Sequence, residues 1–378
     1  MKIILACGGT GGHIFPAFSV AEELKRRQPS CQIIYACGKK DIESSIFKIV
    51  RDEKVISVQS APFGGRLSLL NPVFLLKLTK GFLQSFFILM KERPQIVVGF
   101  GGYFSFPVIL VARLLGIRTL IHEQNVAPGV ANVFLSRWVD GVALSFAETG
   151  TYFSRVKNTR VTGNPIRSSV EKDRREEALS FFKFSRDKVT VLVLGGSQGA
   201  ESINTLFLEG LFLLSGELKT KVQVLHLCGR MSVETVEAAL KAQGVDGRVF
   251  SFFERMDLAY GACDFAIGRA GATFLAEIAV KKIPSILIPY PYGDGHQRLN
   301  AKAHSQGREC VVAEQKELTP VILAGLLTRF IKNEEAKSER VLNGSKNIGG
   351  NGHHRFDSMT ANSRVLLADF IEEVRGMP

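Results

Sequence analysis

MKIILACGGTGGHIFPAFSVAEELKRR, residues 1–27, decides the fold. Its apolar opening (2–7) has the length and β-branched character of a buried strand. The strand breaks at Gly8, Gly9, Gly11 and Gly12, and the chain passes directly into a helical pattern. A glycine turn between strand and helix offers backbone N–H groups at a helix N-terminus, which suits a phosphate or another anion. It also lets a bulky ligand come close to the chain. The dinucleotide fingerprint GxGxxG cannot be laid on 8–13. The second strand exits into Gly38-Lys39-Lys40 without an obvious ribose-binding acid, which argues against a nicotinamide-dependent oxidoreductase. Taken alone, the loop reads first as a tight structural turn between strand and helix.

Working outward, the same rhythm repeats. Strand candidates fall at 32–37, 55–58, 95–100, 118–122 and 140–144. After GNPIR (163–167) and a charged helical stretch they resume at 188–194, 222–228, 248–252, 264–267, 284–288 and 309–313. Strand–helix alternation with glycine-rich strand exits predicts an α/β protein of doubly wound parallel sheets. At 378 residues the chain exceeds one ordinary core. Two Rossmann-like domains are expected, 1–165 and 166–356, with a cleft between them and a last helix near 357–375 (within 357–378) packing on either.

Two more glycine loops stand at strand exits, GFGGYFSFP (99–107) and LGGSQGAES (194–202). Three such loops, spread over both halves, favour substrates carrying several phosphates. HEQN (122–125), GRAGATFLAEIA (268–279) and DGHQRLNA (294–301) place polar side chains at the neighbouring exits. No Asp-x-Asp pair occurs, so the usual carboxylate pair for a metal–diphosphate is missing, and Arg167 is the natural cation in its place. Neither metal nor cofactor is called for.

The net charge of +12 is concentrated in the first half. Residues 1–165 hold 20 Lys+Arg against 10 Asp+Glu, a surplus of 20 − 10 = 10. From Lys54 to Lys91 there are five basic residues and no acidic one. No nucleic-acid recognition motif accompanies them. Within this run, NPVFLLKLTKGFLQSFFILMK (71–91) predicts a helix capped by Asn71 and Pro72 and apolar almost all round. A core helix and a membrane-contacting surface both fit, and the acid-free flank favours the membrane. The six scattered cysteines fit reduced thiols, and the N-terminus predicts no secretory signal.

GGTGGH, GFGGYFS, HEQN, GNPIR, GGSQGA, GRAGA…AE and HQRLNA, in this order over nearly the whole chain, resemble the MurG family, the UDP-N-acetylglucosamine transferases of peptidoglycan synthesis. The resemblance implies the GT-B fold, two Rossmann-like domains, and an inverting, metal-free hexosyltransferase. Such an enzyme moves N-acetylglucosamine from UDP-N-acetylglucosamine to the 4-hydroxyl of the muramyl sugar of lipid I, giving lipid II. It implies peripheral attachment to the cytoplasmic face of the cell inner membrane, an anionic surface, and work in cell wall biogenesis, cell shape and cell division. Other cell-wall synthesis proteins are candidate partners; nucleic acid is not.

By motif, Thr10, Gly11 and Gly12 would touch the donor and His13 would sit at the reaction centre as general base, with Glu123 as the other base candidate. Asn125, Arg167 and Ser197 would hold donor sugar and diphosphate. Phe253 would meet the uracil, and Ala272, Thr273, Phe274, Leu275, Ala276 and Glu277 would line the nucleotide, Glu277 on the ribose. Gln297 would lie near the sugar, and Gly101, Gly102 and Tyr103 would face the lipid diphosphate. Phe106, Phe274 and His296 depart from the family pattern. A UDP-N-acetylglucosamine 2-epimerase shares fold and donor and is the main rival; a non-catalytic membrane scaffold would not need the donor residues of the second half.

Overall fold

The computed structural model describes residues 1–42, 47, 53–61, 71–196, 199–292, 295–342 (backbone only from 335) and 362–377. The chain divides into two compact units, Met1–Arg167 with Ser358–Pro378, and Ser168–Asp357.

The first unit carries a seven-stranded parallel sheet in the order β3-β2-β1-β4-β5-β6-β7. Its strands are β1 Lys2–Ala6, β2 Gln32–Cys37, β3 Lys54–Ser57, β4 Ile96–Gly99, β5 Arg118–Glu123, β6 Gly141–Leu144 and β7 Thr159–Val161. The second unit has six parallel strands in the order β10-β9-β8-β11-β12-β13. These are β8 Val189–Leu194, β9 Val222–Leu227, β10 Asp246–Phe250, β11 Phe265–Gly268, β12 Ser285–Leu287 and β13 Cys310–Val312. Strand β7 is the one that the sequence pattern did not announce. Three residues (TRV) hydrogen-bonded along β6 carry no readable period.

Both sheets reverse their winding beside their first strand. β1 lies between β2 and β4, and β8 lies between β9 and β11. The carboxyl ends of β1/β4 and β8/β11 are therefore the switch points where such sheets bind ligands. The helices cover both sheet faces because their apolar residues recur at helical spacing. In the helix Gly11–Arg27, residues 14, 17, 18, 21 and 24 are buried. The helix Ser363–Arg375 closes the same core of the first unit through Leu367, Phe370, Ile371 and Val374. Its outer edge is tied down by Arg27 to Asp369 at 2.7 Å and by Arg160 to Glu373 at 2.6 Å, with the Arg160 guanidinium stacked on Phe370.

The helix Pro72–Glu92 is neither a core helix nor amphipathic in the ordinary sense. Asn71 Oδ1 caps it, accepting from the Val73 and Phe74 amides. A narrow stripe of Phe74, Gly81, Ser85, Leu89 and Glu92 faces the protein. Gly81 is there because a Cβ would fall 2.0 Å from the Gln59 carbonyl. The opposite stripe exposes Leu76 (70%), Leu83, Phe87 (67%) and Met90 to solvent. Only 22% of its most apolar stretch is buried, and by length and composition it could cross a membrane.

Candidate active site

At the first switch point the exits of β1, β4 and β5 converge. The glycine loop after β1 leads through Thr10, the N-cap, into the helix Gly11–Arg27, whose first turn has no acidic residue. Gly8 and Gly9 adopt φ of +156° and +85°. An anion does sit on this loop, but it is the protein's own: the Asp41 carboxylate accepts from the Gly9 amide at 3.0 and 3.1 Å and from the Gly38 amide at 3.1 Å. The β2 exit thus carries an acid directly after Gly38-Lys39-Lys40, and it binds backbone amides of the protein itself. It occupies an amide expected to meet a ligand phosphate.

The second glycine loop packs onto the first rather than standing apart from it. Gly101 and Gly102 have φ of +80° and +73°. A Cβ on Gly101 would meet the His13 ring at 3.3 Å and Gln124 Oε1 at 3.4 Å, and one on Gly102 would meet the Gly8 carbonyl at 3.0 Å. These glycines are needed for close approach to His13 as well as for their backbone angles. Tyr103 stacks on Phe104 with ring centroids 4.1 Å apart, and its carbonyl accepts from Ser60 Oγ.

His13 lies in the first turn of its helix, partly exposed, with Nδ1 3.2 Å from Gln124 Oε1. Burial of the ring is the largest influence on its pKa and lowers it below 6.5; Glu123, Gln124, the Phe100 backbone and Asp41 act the other way. The imidazole is therefore neutral at pH 7 and able to accept a proton. His122 is fully buried, with Nε2 3.1 Å from the Gly163 carbonyl, and burial pushes its pKa down to about 4.

Glu123, the second base candidate, is placed against that role. Oε1 accepts from the Asn125 amide (2.9 Å) and Nδ2 (3.2 Å), and Oε2 from the Gly129 amide (3.0 Å) and Asn132 Nδ2 (2.8 Å). A buried carboxylate already accepting four hydrogen bonds is a clamp for the 123–132 loop, and its lone pairs are engaged. The same contacts hold Asn125, whose carbonyl accepts from Thr149. Arg167 ends the first unit with its guanidinium 4.6 Å above the Phe15 ring.

The second unit gathers its own candidate residues at the exits of β8, β10, β11 and β12. Glu277 lies in the helix Ala272–Lys281, beyond its first turn, so it is not a helix-dipole partner. It is buried, and Oε2 accepts from Tyr260 at 2.8 Å. Ala272, Thr273, Leu275 and Ala276 are buried in the same helix. Phe274 fills space against Gly268, where its ring would be 3.3 Å from a Cβ, and lies 6.5 Å from the Tyr260 ring. Phe253 sits in an aromatic cluster with Phe181, Phe182 and Phe250. Gln297 is in the first turn of the helix His296–Ser305, and its Oε1 accepts from the Tyr290 amide. Ser197 lies outside the described residues. Among the described residues no three metal-ligating side chains cluster.

Sequence reasoning passed over Asp41, Tyr260 and Arg269, and placed Gln124 near the glycine loops without giving it a role. The buried Arg269 guanidinium ties four strand exits together, reaching the Ile288 and Pro289 carbonyls, Ser202 and Gln315. Its place in GRAGA was a signal; Asp41 and Tyr260 act on Gly9 and Glu277, 32 and 17 residues away in the chain.

The chain matches the glycosyltransferase family 28 N-terminal domain over residues 3–144 and the corresponding C-terminal domain over 190–349. It is 39% identical over 346 residues to the UDP-N-acetylglucosamine–N-acetylmuramyl-(pentapeptide) pyrophosphoryl-undecaprenol N-acetylglucosamine transferase of Syntrophus aciditrophicus, covering 89% of this chain and 93% of the relative. Among solved structures, MurG of Acinetobacter baumannii superposes with a TM-score of 0.69 at 26% identity, covering 98% of this chain and 99% of that one. The calicheamicin glycosyltransferase CalG4 shares the fold alone, with a TM-score of 0.66 at 13% identity over 99% of this chain and 98% of its own.

Proposed function

Because the chain belongs to glycosyltransferase family 28, and within it to the UDP-N-acetylglucosamine–N-acetylmuramyl-(pentapeptide) pyrophosphoryl-undecaprenol N-acetylglucosamine transferases, we propose that His13 is the general base of its transfer reaction. The enzyme is a GT-B hexosyltransferase of peptidoglycan synthesis. It moves N-acetylglucosamine from UDP-N-acetylglucosamine to the 4-hydroxyl of the muramyl sugar of lipid I, forming lipid II. Inversion is one in-line displacement: the hydroxyl oxygen attacks the anomeric carbon, its proton leaves to a base, and UDP departs. His13 suits that step because it is neutral at pH 7 and stands at the β1/β4 switch point, where the sheet favours ligand binding. Glu123, clamped by four donors, is kept for holding the loop.

In this reading Glu277 holds the donor ribose, Phe253 and residues 272–276 line the uridine, and Gln297 and Asn125 meet the sugar. Arg167, with Ser197 and its loop, meets the negative charge that develops on the departing diphosphate. Thr10, Gly11 and Gly12 approach the donor, and Gly101, Gly102 and Tyr103 the lipid diphosphate. Asp41 must yield the Gly9 amide if a phosphate is to use it, since two anions cannot share one donor.

Attachment to an anionic inner-membrane surface on its cytoplasmic face is supported by the outward apolar stripe of the helix Pro72–Glu92 and by Lys77, Lys80 and Lys91 beside it. Lys54 does not serve, because it is paired with Glu92 at 2.6 Å. Phe106 now has a use: it bridges Phe82 (6.0 Å) and Phe134 (5.6 Å), carrying aromatic surface from this helix to the segment Val130–Leu135.

Incubation with labelled UDP-N-acetylglucosamine, with and without lipid I, tests the assignment. Label should pass to the lipid only when lipid I is present. Release of UDP with an epimerised sugar in the absence of lipid would establish the 2-epimerase instead.

A further inference from the structure

Gln124 has no part in the mechanism so far, yet its surroundings fix it completely. At one end of its amide stand the Phe100 carbonyl at 2.9 Å, the His122 carbonyl at 3.3 Å and His122 Nδ1 at 3.0 Å. Carbonyl oxygens only accept, so this end of the amide must be the nitrogen, and its orientation is not a matter of choice. The oxygen end then faces His13 Nδ1 at 3.2 Å, and an amide oxygen also only accepts. The proton of neutral His13 is therefore on Nδ1, and the lone pair is on Nε2.

The other end of the chain agrees. His122 Nε2 lies against the Gly163 carbonyl at 3.1 Å and so carries the proton of that ring, which leaves Nδ1 to accept from Gln124. Every link has the same polarity, from His13 through Gln124 and His122 to the Gly163 backbone. Gly101, where a Cβ would come within 3.4 Å of both partners, keeps the His13–Gln124 bond packed from the side.

We propose that Gln124 is a positioning residue that fixes the neutral tautomer of His13, so that Nε2 faces the reaction, with His122 and Gly163 as its anchor. The proposal rests on the reading of His13 as the base. It adds that the ring need not turn during the reaction: Nδ1–H donates to Gln124 both before Nε2 takes the acceptor proton and after. The charged groups facing the ring are the carboxylates of Glu123 and Asp41, and His122 beside it stays neutral. Neither carboxylate hydrogen-bonds the imidazole; its hydrogen-bonding neighbours are the Gln124 amide and the Phe100 backbone, and of these the amide is the side chain that can be varied.

The test is nitrogen NMR of the full chain labelled with 15N-histidine, the His13 signals being identified by their loss in His13→Ala. At neutral pH, His13 should show a protonated Nδ1 and a bare Nε2. In Gln124→Leu the tautomers should mix and kcat should fall roughly tenfold, the worth of one such hydrogen bond. The donor KM should stay within about twofold, because the interaction is not one of ground-state binding. Gln124→Glu keeps an acceptor at Nδ1 but adds charge, so the acid limb of the pH–rate profile should move up by about one unit. It carries the test by itself if the Leu variant does not fold. A wild-type His13 protonated on Nε2 overturns the proposal. So does a folded Gln124→Leu with unchanged tautomer and pH profile. Full turnover by His13→Ala would remove the base, and the tautomer measurement would still stand or fall separately.

Discussion

The sequence favours His13 as the base with Glu123 as the other candidate, and their hydrogen bonds separate them further. The imidazole has one nitrogen committed to Gln124, whereas the carboxylate spends both oxygens on its own loop. His13→Ala should therefore lower kcat by about 10²–10⁴-fold, the usual contribution of a positioned base. The donor KM should change far less, and a parallel loss of donor binding would make His13 a binding residue instead. Because burial lowers the His13 pKa from 6.5, the wild-type rate should be flat above neutrality and fall as pH drops through that lowered value. A limb near 6.5 or above would contradict the placement. The motif HEQN was visible as a cluster of polar residues at a strand exit. Which member holds and which reacts was not, because that depends on Gly129 and Asn132, folded back by the turn after β5, and on Phe100 and Gly163, brought close by the sheet. Asp41 was overlooked for a similar reason: its carboxylate crosses from the β2 exit to a loop 32 residues earlier in the chain.

The helix Pro72–Glu92 shows the corresponding limit for an element. Its start was legible, since Asn71 and Pro72 supply the cap oxygen and the fixed φ of a first turn. Most strands and all three glycine loops were legible too, because strand period and glycine punctuation are local properties. Whether an all-apolar helix faces core or solvent is not local. Here Gly81 admits the Gln59 carbonyl on one side, where Ser85 is buried too, and the larger Leu76, Leu83 and Phe87 are left on the other. If that stripe docks on lipid, Lys77→Glu with Lys80→Glu should weaken binding to anionic vesicles by roughly thirtyfold, at about 1 kcal/mol for each lysine removed. Leu76→Ser with Phe87→Ser should weaken binding to neutral vesicles as well. Transfer to a water-soluble acceptor should survive in all of them. Sedimentation with vesicles that is the same for wild type and both pairs would leave the apolar stripe without its partner.

Across the whole molecule, two sheets of the same winding carry different chemistry at equivalent places. The β1/β4 switch point of the first unit gathers a histidine and a carboxylate-filled glycine loop; the β8/β11 switch point of the second gathers Glu277, Tyr260 and Arg269. That division predicts which backbone a nucleotide should quiet. On adding UDP to the full chain, hydrogen exchange should slow in the second unit, over 250–256 and 268–277, while β1 and the loop 8–13 change little. Lipid I or a soluble analogue should act on 99–103 instead, and 10–12 should respond only when the donor carries its sugar. Glu277→Ala should abolish most of the UDP-induced protection and raise the donor KM. Loss of a hydrogen bond to a charged group costs about 1.5–3 kcal/mol, which is roughly ten- to a hundredfold in affinity. Tyr260→Phe serves as the control for local packing: it removes one donor to the carboxylate without removing the carboxylate, so its effect on KM should be the smaller. If UDP protects 8–13 before 268–277, or if Glu277→Ala binds UDP as well as wild type does, the donor is held by the first unit and the division of labour is reversed.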